Sequence, residues 1–253
     1  QEYECEPGHY CNHGLRYRCP SGHYGSLRRE INPLCEGLCH EGYYCLNGST
    51  SAFANPCGGS DRFCPVGTIF PVIVPKGYYS NEDSNELLRS SMSICPFGYY
   101  CPGDGRRYPC QKGYYGGELG LHTSICSGPC DEGYFCIEGS DNAKQHKCGN
   151  STVYCPYGSS NPTLVTDGFY SDFSGDDASA KRLWDSLNET CSVEILCEPG
   201  YFCQNGKKNP CPPGTFGWKY GVTSNECGGK CAAGYYCPSY LEHQLDAPGH
   251  TIW

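Results

Sequence analysis

Cys95-Pro-Phe-Gly-Tyr-Tyr-Cys101 is the stretch on which the reading turns, because the chain uses it again and again. The pattern Cys-x-x-Gly-[His/Tyr]-[Tyr/Phe]-Cys starts at Cys5, Cys39, Cys95, Cys130, Cys197 and Cys231. A sister pattern, Cys-x-x-Gly-x-[Tyr/Phe]-Gly, starts at Cys19, Cys110 and Cys211. A glycine three residues after the cysteine fits the last position of a tight turn. The aromatics that follow favour extended backbone. Each motif therefore predicts a turn leading into a short strand that ends at the next cysteine.

Around these motifs lies a larger repeat, and internal repetition decides fold class before local propensity does. A six-cysteine block occurs three times, as Cys5, Cys11, Cys19, Cys35, Cys39, Cys45, then from Cys95 to Cys136, then from Cys197 to Cys237. The intervening gaps are 5, 7 or 8, 15, 3 and 5 residues in every copy. Copies one and two add a further pair, Cys57 with Cys64 and Cys148 with Cys155. After each pair comes an aligned cysteine-free stretch that reaches Gly77-Tyr78-Tyr79-Ser80 in one copy and Gly168-Phe169-Tyr170-Ser171 in the other. The copies span 1–92, 93–194 and 195–253, the third being incomplete.

Composition explains why sulfur matters so much. There are 23 cysteines in 253 residues, together with 34 glycines and 19 prolines. Cysteine and the 22 tyrosines make up nearly half of the 38% counted as hydrophobic, so aliphatic side chains are scarce. Without cross-links such a chain tends toward disorder, and disulfides supply the constraint that a core supplies elsewhere. Disulfides persist in oxidising compartments, so the expected location is extracellular. No apolar h-region opens the chain and no long apolar run occurs, so no membrane span is expected. The net charge of −9 is the wrong sign for nucleic acid. The basic pairs Arg28-Arg29, Arg106-Arg107 and Lys207-Lys208 read as solvated turns. The aromatics, fixed in place within the repeat, read as local mini-cores stacked on disulfides rather than as a ligand surface. Two polar stretches, Asn85 to Ser91 and Asp176 to Leu187, read as short helices docked on the array.

On these residues the chain resembles the ephrin-receptor-like cysteine-rich repeat, related in style to EGF-like and TNF-receptor-like modules. Cys197-Glu-Pro-Gly-Tyr-Phe-Cys203, Cys211-Pro-Pro-Gly-Thr-Phe-Gly217 and Cys227-Gly-Gly-Lys-Cys231 carry the likeness. The whole unit, including Cys148-Gly-Asn150 through Tyr170-Ser171, is similar to tandem repeats of very large extracellular proteins of algae, oomycetes and other protists. The resemblance implies a small disulfide-rich, mostly β or irregular fold, in which EGF-like modules form an elongated rod on a cell or flagellar surface or in an extracellular fibre such as a mastigoneme. It brings no catalytic residues and no cofactors.

Six cysteines allow fifteen pairings, and sequence does not choose among them. If the third copy is complete, the two cysteines it lacks pair with each other, which gives Cys57–Cys64 and Cys148–Cys155. Cys191 is left over; Arg89 holds the equivalent place before Cys95. An odd cysteine in a secreted chain implies an interchain bridge or a free thiol. Asn47-Gly-Ser, Asn150-Ser-Thr and Asn188-Glu-Thr are N-glycosylation acceptors, so N-linked glycans are expected at Asn47, Asn150 and Asn188.

Rival chemistries fit poorly. Structural zinc sites prefer cysteines two to four apart with histidine; only the pairs such as Cys35 and Cys39 match, and His9, His13, His23 and His40 are not repeated in the other copies. The acidic groups at Glu82-Asp83 and at Asp172, Asp176 and Asp177 lack the spacing of a calcium loop. No nucleophile elbow, phosphate-cradling loop or His-Glu-x-x-His is present, so no enzyme is expected. The expected role is structural: self-association into a filament, or assembly with other matrix or coat proteins. A receptor ectodomain or adhesin that binds a protein or glycan partner is the alternative.

Overall fold

The computed structural model describes residues 2–81, 85–172, 190–233 and 236–238. Among them, strands occur only as antiparallel pairs, eleven in all, each its own two-stranded sheet. Copy one holds five hairpins: His9–Asn12 with Leu15–Arg18, His23–Tyr24 with Gly37–Leu38, Tyr43–Tyr44 with Asn55–Pro56, Arg62–Phe63 with Val72–Ile73, and Tyr78–Ser80 with Met92–Ile94. Copy two repeats the series, from Tyr99–Tyr100 with Tyr108–Pro109 to Phe169–Asp172 with Val193–Leu196. Copy three begins it again with Tyr201–Gln204 paired to Lys207–Pro210. The molecule is a tandem array of small disulfide-rich hairpin modules.

The turn in each motif differs in one detail from the sequence expectation. The His9 N–H donates to the Glu6 carbonyl at 3.1 Å, and Tyr43 does the same to His40 at 3.1 Å. The glycine between them therefore occupies the third position of the turn, not the last. Gly42 has φ +80°, the conformation that the third position of a type II turn demands and that only glycine adopts without strain.

Backbone hydrogen bonds tie each hairpin to those just beyond it. The Cys39 N–H donates to Gly22 O at 2.9 Å, closing one hairpin onto its own turn, while the Gly22 N–H donates to Cys45 O at 2.8 Å in the next. The same two bonds recur at Gly113, which accepts from Cys130 at 2.9 Å and donates to Cys136 at 2.8 Å. Strands of two residues cannot satisfy their own polar groups, so the neighbouring hairpin does it. This is the nearest-neighbour logic of a repeat array.

All eleven disulfides join consecutive cysteines: first with second, third with fourth, fifth with sixth, and seventh with eighth where present. Cys57 is bonded to Cys64 and Cys148 to Cys155. Sequential pairing also explains the sister motif. Where the first cysteine bonds the one six residues on, the strand ends in cysteine. Where it bonds the one 16 residues on, as in Cys110–Cys126, its sulfur lies over the strand end. A Cβ at Gly116 would stand 2.9 Å from Cys110 Sγ, and one at Gly25 or Gly217 would stand 2.8 Å from Cys19 or Cys211 Sγ. Only a residue without a side chain fits beneath that bridge.

The core is sulfur. Among the described residues, every buried hydrophobic residue is a cysteine except Phe63 and Val74. Apart from the exposed Tyr236, the described motif aromatics are half-buried, so they form a covering over the bridges and not the mini-cores expected of them. Strands this short leave no second face against which a large ring is enclosed, and pairs such as Tyr10 with Tyr17, stacked at 5.2 Å, share the shielding. The stretch from Asn85 to Ser91 is not an α-helix. It is a single 3-10 turn, Glu86–Leu88, whose Leu87 N–H is capped by the Asn85 side chain. A seven-residue stretch is too short to propagate a helix far past its nucleus. The Asp176–Leu187 stretch lies outside the described residues. Also among the described residues, no helix is long and apolar enough to cross a membrane.

By compactness the chain divides into two units that do not follow the copy boundaries. One comprises Gln1–Cys110 with Gly116–Ser127, the other Gln111–Tyr115 with Gly128–Trp253.

Candidate interaction surface

One arrangement occurs once in each unit and joins the tail of one copy to the head of the next. In the first unit, the Ser80 N–H donates to Gly105 O at 3.0 Å. The Ser80 hydroxyl donates to Ser60 O at 2.8 Å, and the Ser60 hydroxyl donates to Asp104 O at 2.8 Å. In the second unit, the Ser171 N–H donates to Gly206 O at 3.0 Å. The Ser171 hydroxyl donates to Ser151 O at 2.7 Å, and the Ser151 hydroxyl donates to Asn205 O at 3.3 Å. Ser60 and Ser80 stand as far from their copy's cysteines as Ser151 and Ser171 do from theirs. A side chain at Gly105 or Gly206 would overlap the carbonyl of Ser60 or Ser151.

A cation flanks each of these joints. The Arg107 guanidinium lies 5.1 Å from the ring centre of Tyr79, on the tail, and 5.5 Å from that of Tyr99, on the head. The Lys208 ammonium lies 5.2 Å from Tyr170 and 4.2 Å from Tyr201. A cation held between two rings is worth more than one facing water. Lys208 also pairs with Glu198 at 2.8 Å, and the Tyr170 hydroxyl donates to Glu198 at 3.3 Å. Burial pushes Glu198 up, but the Lys208 ammonium and the bonds it accepts outweigh this and hold its carboxyl below the ordinary value. Burial pushes the Tyr170 hydroxyl up.

The depressed carboxyl makes this joint acid-sensitive. A group whose folded pKa lies below its unfolded value stabilises above the unfolded value and stops doing so as pH falls through the folded one. The denaturation midpoint of the second unit is therefore expected to drop below about pH 4.5, as Glu198 takes up a proton. The pH profile of urea midpoints checks this, and Glu198→Gln flattens that part of the profile.

The sequence-derived sites fall around this framework. Asn47 and Asn150 are exposed, as acceptor asparagines must be. Asn150 lies at the rim of the second joint, in a polar cleft with Thr152, Gln204 and Asn209. Asn188 lies outside the described residues, as do Glu82, Asp83, Asp176 and Asp177. The close pair Cys35 and Cys39 belongs to two different bridges, which removes both sulfurs from metal binding.

Cys191 is a free thiol at 2% exposure. Its carbonyl accepts from Cys155 N–H at 2.9 Å, as that of Arg89 accepts from Cys64 N–H at 2.9 Å. The two residues thus fill the same slot. Arg89 is itself buried, with its guanidinium donating to the Asn81 carbonyl. Burial pushes the Cys191 thiol up, away from the reactive thiolate. A bridge to another chain needs an exposed sulfur, and that of Cys191 is buried. Native protein is expected to resist maleimide labelling, and unreduced protein in 6 M guanidinium, roughly three times the concentration that unfolds a typical domain, takes up one label per chain. Intact mass checks the count.

The joint was not foreseen from sequence. Its one visible signal was the equal 16-residue offset from Cys64 to Ser80 and from Cys155 to Ser171. The glycines that complete it look, in sequence, like any other turn glycine.

Fold and joint together define a disulfide-stapled tandem-repeat protein whose successive copies couple through one recurring backbone contact. No family model matches the chain. Over 145 residues, 51% of the chain, it is 26% identical to ABC transporter G family member 25 of Oryza sativa subsp. japonica. The matched segment is 13% of that protein's length, so the chain spans a small part of this relative.

Proposed function

We propose that the chain is a non-catalytic, load-bearing segment of an extracellular glycoprotein filament or surface coat. The observation that supports this is the joint itself: Ser80 on Gly105 and Ser171 on Gly206 repeat one geometry, so units of this kind add in line without redesign. Heterologous contacts of that sort build open assemblies rather than closed rings. The sulfur core fits an oxidising compartment, and the likeness to ephrin-receptor-like repeats points the same way.

Electron microscopy of native material tests the reading. Regular filaments containing the chain are the expected result. Isolated particles with saturable binding to a protein or glycan partner would establish the receptor or adhesin reading instead. N-linked sugar on Asn47 and Asn150 belongs to the proposal. Treatment with an amidase that removes N-glycans is expected to lower the intact mass of the secreted protein and to convert both asparagines to aspartate.

A further inference from the structure

The three copies present their head hairpins in two different states. The heads of copies two and three are covered by the tail of the copy before them. The head of copy one is bare. We propose that this head, His9–Asn12 with Leu15–Arg18, is an open joint that receives the serine–tyrosine–serine tail of a further repeat unit.

Three comparisons carry the inference. The first is the turn. His13 and Gly14 at the tip of the first head have φ +50° and +76°, and Asn205 and Gly206 in the third have φ +53° and +69°. Both are the paired left-handed residues of a two-residue hairpin loop. The strands pair in the same register, with Asn12 opposite Leu15 and Gln204 opposite Lys207. Gly206 is buried beneath Ser151 and Ser171, whereas Gly14 is exposed and a Cβ there would meet nothing within 4 Å.

The cation is the second. Arg16 stands three residues before its cysteine, as Arg107 and Lys208 do before theirs. It pairs with Glu6 at 3.3 Å as Lys208 pairs with Glu198, but the two side chains are 58% and 62% exposed against 29% and 39% for the later pair. What the later pair has in addition is two rings beside the ammonium, the tail's Tyr170 and the head's own Tyr201, where copy one has His9.

Third is the bridge beneath. Cys101 and Cys203 are 0% and 1% exposed. Cys11, the same cysteine of copy one, is half-exposed. Beside it Leu15 is 58% and Tyr17 43% exposed. The first head keeps the conformation, cation and acid of a joint while its surface is open. The tails carrying Ser60 with Ser80 and Ser151 with Ser171 are already engaged on Gly105 and Gly206, so the occupant is the tail of a repeat unit other than copies one and two. The inference rests on this geometry and holds whether the array ends in a filament or in a receptor stalk.

The test is the full chain extended by a second copy of residues 5–94 placed before Cys5, which sets a free tail ahead of the head. Amide hydrogen exchange at Leu15 and Arg16 is expected to slow at least tenfold, to the level of Lys207 and Lys208. In the extended chain Gly14→Asn abolishes that slowing, because asparagine tolerates positive φ but its side chain meets the incoming serine carbonyl. In the unextended chain the same substitution leaves the melting temperature unchanged. Cross-linking mass spectrometry of native material gives a second readout, with head peptides joined to tail peptides of the Tyr79-Ser80 kind. Equal exchange rates in the two chains, indifference to Gly14→Asn, or head cross-links to anything but a repeat tail overturns the proposal. A concentration-dependent dimer that protects the head in the unextended chain also overturns it, since the occupant is then a second copy.

Discussion

Reduction alone, without denaturant, is expected to unfold this chain. Dithiothreitol at neutral pH is expected to abolish near-ultraviolet tyrosine ellipticity and to expand the hydrodynamic radius to that of an unfolded polymer. The bridges close loops of 6, 7 or 16 residues. Each short loop restricts the unfolded chain by about 2 kcal/mol and each long one by about 3 kcal/mol. Eleven such terms exceed the roughly 5–15 kcal/mol that separates a typical folded domain from its unfolded state. Among the described residues, the only buried apolar side chains besides cysteine are Phe63 and Val74, too few to replace them. A single 16-residue bridge removed as Cys110→Ala with Cys126→Ala is expected to cost about 3 kcal/mol, measured as a loss of urea midpoint in the unit that contains it. Retention of native ellipticity after complete reduction would refute this account of the fold.

Gly206→Ala is the second change expected to act strongly. Gly206 has φ +69°, where an L-residue is strained by about 1–2 kcal/mol. Its added methyl would also overlap the Ser151 carbonyl, a backbone atom that cannot rotate away. Overpacking of that kind costs a further 1–3 kcal/mol, roughly. The variant is therefore expected to lose about 3 kcal/mol and to free the Ser171 amide for hydrogen exchange, since its acceptor is the Gly206 carbonyl. Gly214→Ala is the matched control. Gly214 has φ +84° but a Cβ there meets nothing within 4 Å, so only the backbone strain remains. A Gly206 variant no worse than the Gly214 variant would show that the joint is not tightly packed.

The repeat, the disulfide scaffold and the hairpin character of the modules were legible in sequence because they are periodic. Cysteine spacing and the glycine–aromatic pair recur often enough to exclude coincidence. Pairing within the six-cysteine blocks was not legible, since it depends on which Cα atoms come within bonding reach. The clue was present in Gly25, Gly116 and Gly217, which sit where the other motif has cysteine, but its meaning appears only once a sulfur is seen above them. The segment at Asn85 has helix-like composition and makes one 3-10 turn, because flanking strands set its length. The joints were hidden for a different reason. Ser80 meets Gly105 and Ser171 meets Gly206 across about a third of a repeat, and no local pattern marks a contact made at that distance in the chain. Cys191 was visible as an odd residue, and its equivalence to Arg89 could be read from position, but not that both side chains are buried.

The unlaced order of the bridges has a consequence for biogenesis. No loop encloses the cysteine of another, and the longest spans 16 residues. A ribosome adds about 5–20 residues per second, so both partners of any bridge enter an oxidising lumen within about three seconds of each other. Both thiols of each bridge are therefore synthesised before the next pair is complete. Oxidation can then proceed from the amino end as the chain emerges, with no need for an isomerase to undo premature pairings.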